Sequence, residues 1–150
     1  MERIILHADL NNFYASVECM KEPKYKNVPM AVTGDPDQRH GIILAKNQLA
    51  KAAGVKTGEA IWQARAKCPN LLCLPPRFGL YMYYSRKVRE VYYRFTPKVE
   101  PFGLDEAWLD MTGTGKSAQD AADTIRLAVK AETELTVSVG ASFNKIFAKL

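Results

Sequence analysis

Three acidic residues stand where a predicted strand ends or turns, and such positions can bring carboxylates together. Asp9 follows the apolar run at 4–8, and Asp105 and Glu106 occupy a tight turn between two other short strands. Converging carboxylates repel one another unless cations lie between them, and clustered oxygen ligands suit Mg²⁺ or Mn²⁺. Two such ions about 4 Å apart can activate an attacking oxygen and stabilise a leaving one. These residues could therefore support metal-assisted phosphoryl transfer.

The same residues also have a simpler interpretation. A single aspartate at a strand end usually caps a helix or forms a turn, and an acidic pair in a hairpin turn is usually just solvated. No set of histidine, cysteine and serine with nucleophile-and-base character competes for the chemistry, and His7 and His40 have no obvious partners. The catalytic interpretation thus depends on whether the fold brings Asp9 to the other two carboxylates.

The hydrophobic pattern predicts the elements that would position them. Outside residues 23–74, the predicted strands lie at 4–8, 99–103, 107–111 and 136–141, and the predicted helices at 11–20, 80–95, 117–134 and 142–150. Asn11 and Asn12 are expected to cap the first helix, and Ser142 the last. Within residues 23–74, the pattern predicts a hairpin of 30–33 and 42–45, helices at 47–53 and 59–67, and a strand at 71–74.

Residues 23–74 read as a small insertion after the first strand and helix. With them set aside, the order is strand, helix, strand, strand, helix, strand, which is the split βαβ or ferredoxin-like arrangement. In that fold the first strand lies beside the third and antiparallel to it. We therefore predict an α+β fold in which Asp9 lies next to the turn that carries Asp105 and Glu106.

Composition limits the remaining function classes only loosely. The chain has 150 residues, 47% of them apolar and 25% charged, which is ordinary for a soluble globular protein. Its net charge of +5 mildly favours a polyanionic partner. The three cysteines fit no zinc-binding spacing, so reduced thiols and a cytoplasmic location are predicted. Neither a membrane span nor a signal peptide is expected.

Four segments resemble motifs of the Y-family, or translesion, DNA polymerases. They read ADLNNFYASVE at 8–18, GVKTG at 54–58, LDEAWLD at 104–110 and VGASFNKIFAK at 139–149. Their order and spacing match that family over essentially the whole chain. The resemblance implies a ferredoxin-like palm at 1–22 and 75–150 with small fingers at 23–74, ending before the thumb.

The resemblance also implies a two-metal DNA-directed DNA polymerase. Two Mg²⁺ ions, or Mn²⁺, would be held by Asp9, Asp105, Glu106 and the backbone carbonyl of Leu10, with Asp105 and Glu106 catalytic. The implied partners are primer–template DNA, a deoxynucleoside triphosphate and, through regions absent from these residues, a sliding clamp.

Further positions match the family's contacts with substrate. The matching nucleotide-binding positions are Phe13, Tyr14, Ala45, Gln48 and Lys51, and the matching DNA-binding positions are Lys145 and Lys149. Tyr14 matches the gate that excludes a 2′-hydroxyl. Without the motif, Tyr14 would be interpreted as a core aromatic and the two DNA-binding lysines as solvated surface.

Three residues depart from the family pattern. Gly103 stands where a serine usually precedes the acidic pair, and metal binding should survive this change. Gln48 and Lys51 align with a tyrosine and an arginine that usually grip the triphosphate. Lys51 keeps the charge but lacks the planar fork of arginine, so the triphosphate contacts are expected to be arranged differently.

Two other functions are consistent with parts of this pattern. One is a nucleotide cyclase or other two-metal enzyme on a palm-like fold, against which the Tyr14 and fingers motifs argue. The other is a non-catalytic nucleic-acid-binding module, against which the acidic triad argues, because negative charge beside a phosphate backbone is unfavourable without cations. If the resemblance to a polymerase holds, residues 1–150 alone are expected to fold but not to polymerise.

Overall fold

The computed structural model describes residues 2–35, 37 and 41–150. The strands are β1 (Ile5–Leu10), β2 (Met30–Thr33), β3 (Ile43–Lys46), β4 (Leu72–Leu74), β5 (Val99–Phe102), β6 (Glu106–Asp110) and β7 (Val137–Ser142). The helices are α1 (Phe13–Lys21), α2 (Gln48–Ala52), α3 (Ile61–Lys67), α4 (Phe78–Phe95), α5 (Ala118–Thr133) and α6 (Lys145–Lys149), with a short 3-10 helix at Pro23–Asn27.

The chain forms two compact units. One comprises residues 1–11 and 82–150, and the other residues 12–81. Their assignment to a palm and fingers with boundaries at residues 22 and 74 stays a prediction. In the described ranges, no helix combines the length and apolarity needed to cross a bilayer.

The first unit contains a four-stranded antiparallel sheet in the order β5-β6-β1-β7. This places the first strand of the unit between the third and fourth, which confirms the predicted ferredoxin-like arrangement. Side chains alternate along β6, where Ala107 and Leu109 are buried and Trp108 is partly exposed. One face of the sheet is therefore apolar, and the other carries the polar residues, Asp9 among them.

Helix α5 joins β6 to β7 and buries an apolar stripe. Ala121, Ile125 and Val129 recur at helical spacing and are fully or almost fully buried. The helix begins at Ser117, whose hydroxyl accepts a hydrogen bond from the Asp120 backbone N–H at 3.1 Å. The start predicted for this helix is thus confirmed.

Helix α6 packs against β1 and β7. A glycine permits this approach, since a Cβ atom on Gly140 would lie 2.1 Å from the carbonyl oxygen of Ala148. The cap predicted at Ser142 is wrong, because Ser142 still belongs to β7. Asn144 caps the helix instead, and its side-chain oxygen accepts from the Phe147 backbone N–H at 2.9 Å.

The second unit has a three-stranded sheet in the order β3-β2-β4. The predicted hairpin is confirmed, because β2 and β3 pair antiparallel. β4 pairs parallel to β2, which the sequence pattern did not indicate. Small and apolar side chains from both helices and strands fill its core; these are Ala31, Ile43, Ala50, Val55, Ile61, Ala64, Cys68 and Leu71.

The cap position predicted for α1 is confirmed at Asn12, but the side-chain capping bond is absent. Asn12 occupies the cap position in the left-handed conformation, with φ 47°, and its side chain makes no capping bond. Asn11 instead binds across to the segment that leads into β7: its side-chain nitrogen donates to Thr136 at 3.1 Å, and its oxygen accepts from Ser138 at 2.6 Å. Asn11 therefore ties two segments of the first unit together.

A buried carboxylate anchors α1 within the second unit. Glu18 is only 2% exposed. Arg77 Nε donates to both carboxylate oxygens at 3.1 Å, and the Tyr81 hydroxyl donates at 2.6 Å. A buried charge is tolerated when it is paired and hydrogen-bonded in this way, and losing one donor is costly.

Two buried tyrosines provide a matched test of these bonds. Tyr81→Phe removes a donor to a buried charge and should lower the free energy of unfolding by about 2 kcal/mol. The Tyr92 hydroxyl, in the first unit, is buried and finds no hydrogen-bond partner among the described residues. Tyr92→Phe should therefore be neutral or slightly stabilising. Urea denaturation of both variants measures this, and equal destabilisation would contradict the assignment.

Candidate active site

The acidic residues meet at one edge of the four-stranded sheet. In the β1–β6 pairing, Asp9 lies directly opposite Glu106. Asp105 precedes β6 in the turn, and its carbonyl oxygen accepts a hydrogen bond from the Leu10 backbone N–H at 2.9 Å. Side chains directly opposite in an antiparallel pair lie on the same face, so Asp9 and Glu106 share the polar face. We call Asp9, Asp105 and Glu106 the acidic edge.

The carboxylates of the acidic edge disturb one another electrostatically. Burial, followed by the charges of Asp105 and Glu106, raises the pKa of Asp9 to about 6. Burial also raises the pKa of Asp105, with a further increase from Glu106. Negative charge is therefore unfavourable here, and a divalent cation would relieve it.

A histidine that had no predicted partner belongs to this site. His7 Nε2 lies 2.9 Å from Glu106 Oε1, and its ring packs against Trp108 with centroids 5.3 Å apart. The expectation that His7 lacks partners is thus wrong. Its position two residues before Asp9 was the available signal, because alternate residues of a strand share a face. His40 lies outside the described residues.

Both predicted DNA-binding lysines of α6 lie on the polar face. Lys149 Nζ is 3.4 Å from Glu106 Oε1 and sits over the Phe102 ring at 4.9 Å. Lys145 Nζ lies over the Trp108 ring at 4.6 Å and donates to the Glu100 carboxylate at 2.8 and 2.9 Å. The structure thus brings Lys149 to the acidic edge, while a role in DNA binding stays a prediction.

The residues present fit a divalent cation. In the described ranges, no three histidine, cysteine or acidic side chains are already arranged to hold an ion by themselves. The donor chemistry nevertheless suits Mg²⁺, because carboxylate oxygens are its preferred protein ligands and two of them have raised pKa values. The Tyr92 hydroxyl, which has no hydrogen-bond partner within the described ranges, also lies near Asp9 and Asp105. Burial raises the pKa of Tyr92 most, and the charges of these two carboxylates raise it further.

The two aromatics at the start of α1 belong to the second unit. Phe13 is 4% exposed and packs near Tyr14 and Tyr81 with centroids 5.6 and 6.3 Å apart. Tyr14 stacks on Tyr81 at 4.5 Å, with the rings 15° from parallel, and makes an edge-on contact with Phe78 at 5.7 Å. The Tyr14 ring is therefore held by aromatic neighbours, whatever its function.

The other predicted nucleotide-binding residues lie around β3 and α2. Ala45 is in β3 and 8% exposed. Gln48 begins α2, and Lys51 follows three residues later, both with exposed side chains. Residues three apart lie on neighbouring parts of one helix face, so both could contact one ligand. Their triphosphate contacts stay a prediction.

The departure at Gly103 has a structural basis. Gly103 adopts φ +67°, in the left-handed region that a glycine enters without strain. A serine at this position would carry a Cβ atom in a conformation that L residues rarely adopt. Gly103 thus suits the tight turn into Asp105, and it contributes no side chain to the acidic edge.

The raised pKa of Asp9 leads to a stability prediction. Because the folded pKa of about 6 exceeds the ordinary value of 3.8, folding favours the protonated form. The metal-free protein should therefore lose stability as pH rises from about 4 to 6. Asp9→Asn should remove this loss and raise the Tm by roughly 2–5 °C at pH 7, with no difference near pH 3.5.

Thermal unfolding in a chelator at several pH values measures the effect. Adding Mg²⁺ should reduce the difference in Tm between Asp9→Asn and the native protein, because only the native aspartate can supply a charged ligand. A Tm advantage of Asp9→Asn that is independent of pH would contradict the electrostatic explanation.

Comparison with known proteins identifies the family. The family model described as impB/mucB/samB matches residues 8–150. The chain belongs to this family. Its sequence is 50% identical, over 153 aligned residues, to the DNA polymerase IV of Acetivibrio thermocellus and 40% identical to DNA polymerase IV 1 of Bacillus subtilis. The chain spans 38% and 36% of those two proteins' lengths, which is less than half of each relative.

Solved structures place this impB/mucB/samB chain among the Y-family DNA polymerases. It matches a chimera of the Y-family polymerases Dbh and Dpo4 with a TM-score of 0.91 at 30% identity, covering 97% of this chain and 44% of the other. It matches an insertion ternary complex of Dbh DNA polymerase with a TM-score of 0.90, also at 30% identity and with the same coverage. These matches confirm the Y-family resemblance and the fold class.

Proposed function

We propose that these residues are the part of a translesion DNA-directed DNA polymerase that carries the catalytic carboxylates. The complete protein would add deoxynucleotides to the 3′ end of a primer. The observation that carries this proposal is the acidic edge, where Asp9 faces Glu106 across two strands beside Asp105. Similarity to proteins named DNA polymerase IV supports it.

The acidic edge would hold two Mg²⁺ or Mn²⁺ ions. The ligands would be the side chains of Asp9, Asp105 and Glu106 and the carbonyl of Leu10. When bound, the ions lower the pKa of the attacking 3′-hydroxyl and neutralise charge on the leaving pyrophosphate. Asp105 and Glu106 are the catalytic residues in this proposal.

The protein's own contribution is to hold these carboxylates in place before the substrate arrives. The β1–β6 pairing fixes Asp9 against Glu106, and the Leu10 N–H bond fixes the peptide of Asp105. His7 restrains the Glu106 carboxylate through one oxygen. Such preorganisation avoids reorganisation when charge develops in the reaction.

The nucleotide would be bound mainly by the second unit. Phe13 and Tyr14 would pack under the sugar, with Tyr14 excluding a 2′-hydroxyl, and Ala45 would line the same site. Lys51 would offer a positive charge to the triphosphate, and Gln48 a hydrogen bond. The exposure of Gln48 and Lys51 supports a role in ligand contact.

The DNA would be held partly by α6 and largely by regions beyond these residues. Lys145 and Lys149 are exposed cations of α6, Lys149 lies beside the acidic edge, and the net charge is +5. The Dbh ternary complex supports primer–template DNA and a deoxynucleoside triphosphate as partners. A sliding clamp would bind through other regions, and the protein would act in the cytoplasm.

Primer extension by the complete protein tests the proposal. We expect the protein to extend a primer on a template when deoxynucleoside triphosphates and Mg²⁺ are present. After chelation of the metal, we expect no extension. Turnover of triphosphate without primer and template would indicate a cyclase or another two-metal enzyme instead. Tight DNA binding that needs no divalent metal, with no extension, would indicate a non-catalytic module.

The isolated residues 1–150 should fold without extending primers. They should bind DNA weakly and with a steep salt dependence, because charge attraction alone gives only that. Misplacement of a primer end by about 1 Å can cost roughly a hundredfold in rate. Extension assays and anisotropy titrations at 50 and 200 mM salt measure both properties. Processive extension by these residues alone would show that the DNA-holding surface lies within them.

A further inference from the structure

Helix α4 holds the turn between β5 and β6 through two side chains. Ser85 Oγ donates to the Leu104 carbonyl oxygen at 2.5 Å, and Arg89 Nη2 donates to the Gly103 carbonyl oxygen at 2.6 Å. Ser85 is 1% exposed, so its bond is shielded from water. Residues four apart lie on one face of a helix, so the two donors reach consecutive peptide groups from the same side. We call Ser85 and Arg89 the turn clamp.

The clamped peptides lead directly into the acidic edge. Leu104 is followed by Asp105, whose own carbonyl accepts from the Leu10 N–H at 2.9 Å. Three consecutive carbonyls, at residues 103, 104 and 105, are therefore fixed by donors from α4 and β1. A ligand side chain must be held within about 0.5 Å of its working position, and its own backbone is the first determinant of that position.

The geometry points to Ser85 and Arg89 as positioning residues for divalent-cation binding by Asp105. They act through backbone carbonyls and would leave the carboxylates free for the ions. This inference rests on the proposed function, since it takes the acidic edge as the metal site. Outer partners that orient a metal ligand typically contribute tenfold or more to metal affinity.

The residue that follows α4 provides a control for general stability. Thr96, directly after α4, is 4% exposed, and its hydroxyl donates to the Asp110 carbonyl oxygen at 2.8 Å. This bond resembles that of Ser85 but holds the opposite end of β6. If both bonds only stabilised the fold, removing either hydroxyl would have the same effect on Mn²⁺ affinity. If Ser85 positions Asp105, only the loss of the Ser85 hydroxyl should weaken Mn²⁺ binding.

The test measures Mn²⁺ affinity rather than activity. The complete protein is bound to a dideoxy-terminated primer–template and a matching deoxynucleoside triphosphate, so that no reaction occurs, and free Mn²⁺ is followed by electron paramagnetic resonance. Ser85→Ala and Arg89→Met should each weaken Mn²⁺ binding about tenfold. Arg89→Lys, which keeps a cationic donor, should recover most of the affinity.

Three further variants complete the experiment. Thr96→Val should lower the Tm and leave the Mn²⁺ affinity unchanged. Arg86→Met removes a charge from α4 and should change neither the Tm nor the Mn²⁺ affinity. Unchanged affinity in Ser85→Ala and Arg89→Met, or an equal loss in Thr96→Val, would overturn the clamp. Asp105→Asn separates the two proposals: if it too leaves Mn²⁺ binding unchanged, the proposed metal site itself is wrong.

Discussion

Asp105→Asn in the complete protein should reduce primer extension at least about a thousandfold, which corresponds to roughly 4 kcal/mol of activation free energy. The reason is that asparagine keeps the shape of the side chain but removes the charge of a proposed metal ligand from the acidic edge. Asp105 lies in the turn beside Glu106, which in turn faces Asp9. Removing one of three converging charges should therefore disable metal-assisted transfer without unfolding the protein.

Single-turnover extension and DNA-binding anisotropy measure the two sides of this prediction. DNA affinity should change by less than about threefold, because in the proposed enzyme the DNA would be held largely by regions other than the acidic edge. Asp110→Asn is a matched control. Asp110 lies at the far end of β6, the strand that follows Asp105, and it accepts from the Thr112 backbone N–H at 3.0 Å. An Asp105→Asn enzyme that extends primers at the native rate would exclude Asp105 from the chemistry.

Tyr14→Ala should raise ribonucleotide incorporation relative to deoxynucleotide incorporation by roughly 10–100-fold. The expected cause is steric, since the ring would occupy the space that a 2′-hydroxyl needs. Each factor of ten in discrimination corresponds to about 1.4 kcal/mol of activation free energy. Stacking on Tyr81 and edge contact with Phe78 would hold the ring rigidly enough to discriminate.

The ratio of kcat/KM for a ribonucleoside and a deoxynucleoside triphosphate is the measurement. Tyr14→Phe is the control, because it keeps the ring and should keep the discrimination. Deoxynucleotide addition should remain detectable in both variants. If Tyr14→Ala lowers only the Tm and leaves the ratio unchanged, Tyr14 is a core aromatic and no gate.

The acidic edge was predictable because it depends on strand order and on alternation. Apolar runs around Asp9 and the 105–106 turn identify strands, and the ferredoxin-like order then makes Asp9 and Glu106 neighbours, as the register shows. The side-chain contacts with Glu106 were predictable only in part. His7 stands two residues before Asp9, which indicates the same face of β1, but this spacing does not identify Glu106 as its partner. Nothing in the local pattern around Lys149 indicates its contact with Glu106.

Local capping signals were the least reliable predictions. Asn12 and Ser142 are both favourable cap residues by type. Asn12 occupies the cap position but, with a left-handed backbone, makes no side-chain capping bond, and Ser142 still belongs to β7. The parallel pairing of β4 with β2 was also missed, since three residues of strand carry no sign of their partner's direction. In each case tertiary structure overrode a local preference.

The pairing of β1 has a consequence for synthesis in the cell. Ile5 pairs with Asp110 on one side and Ser142 on the other, so both partners of β1 are made long after it. A ribosome adding roughly 5–20 residues per second would leave β1 unpaired for about 5–30 s, while the more local strands β2, β3 and β4 could already pair. An apolar strand with two open edges is prone to aggregate during that time. Substitutions that weaken β7 should therefore reduce the yield of soluble protein before they reduce the activity of the molecules that fold.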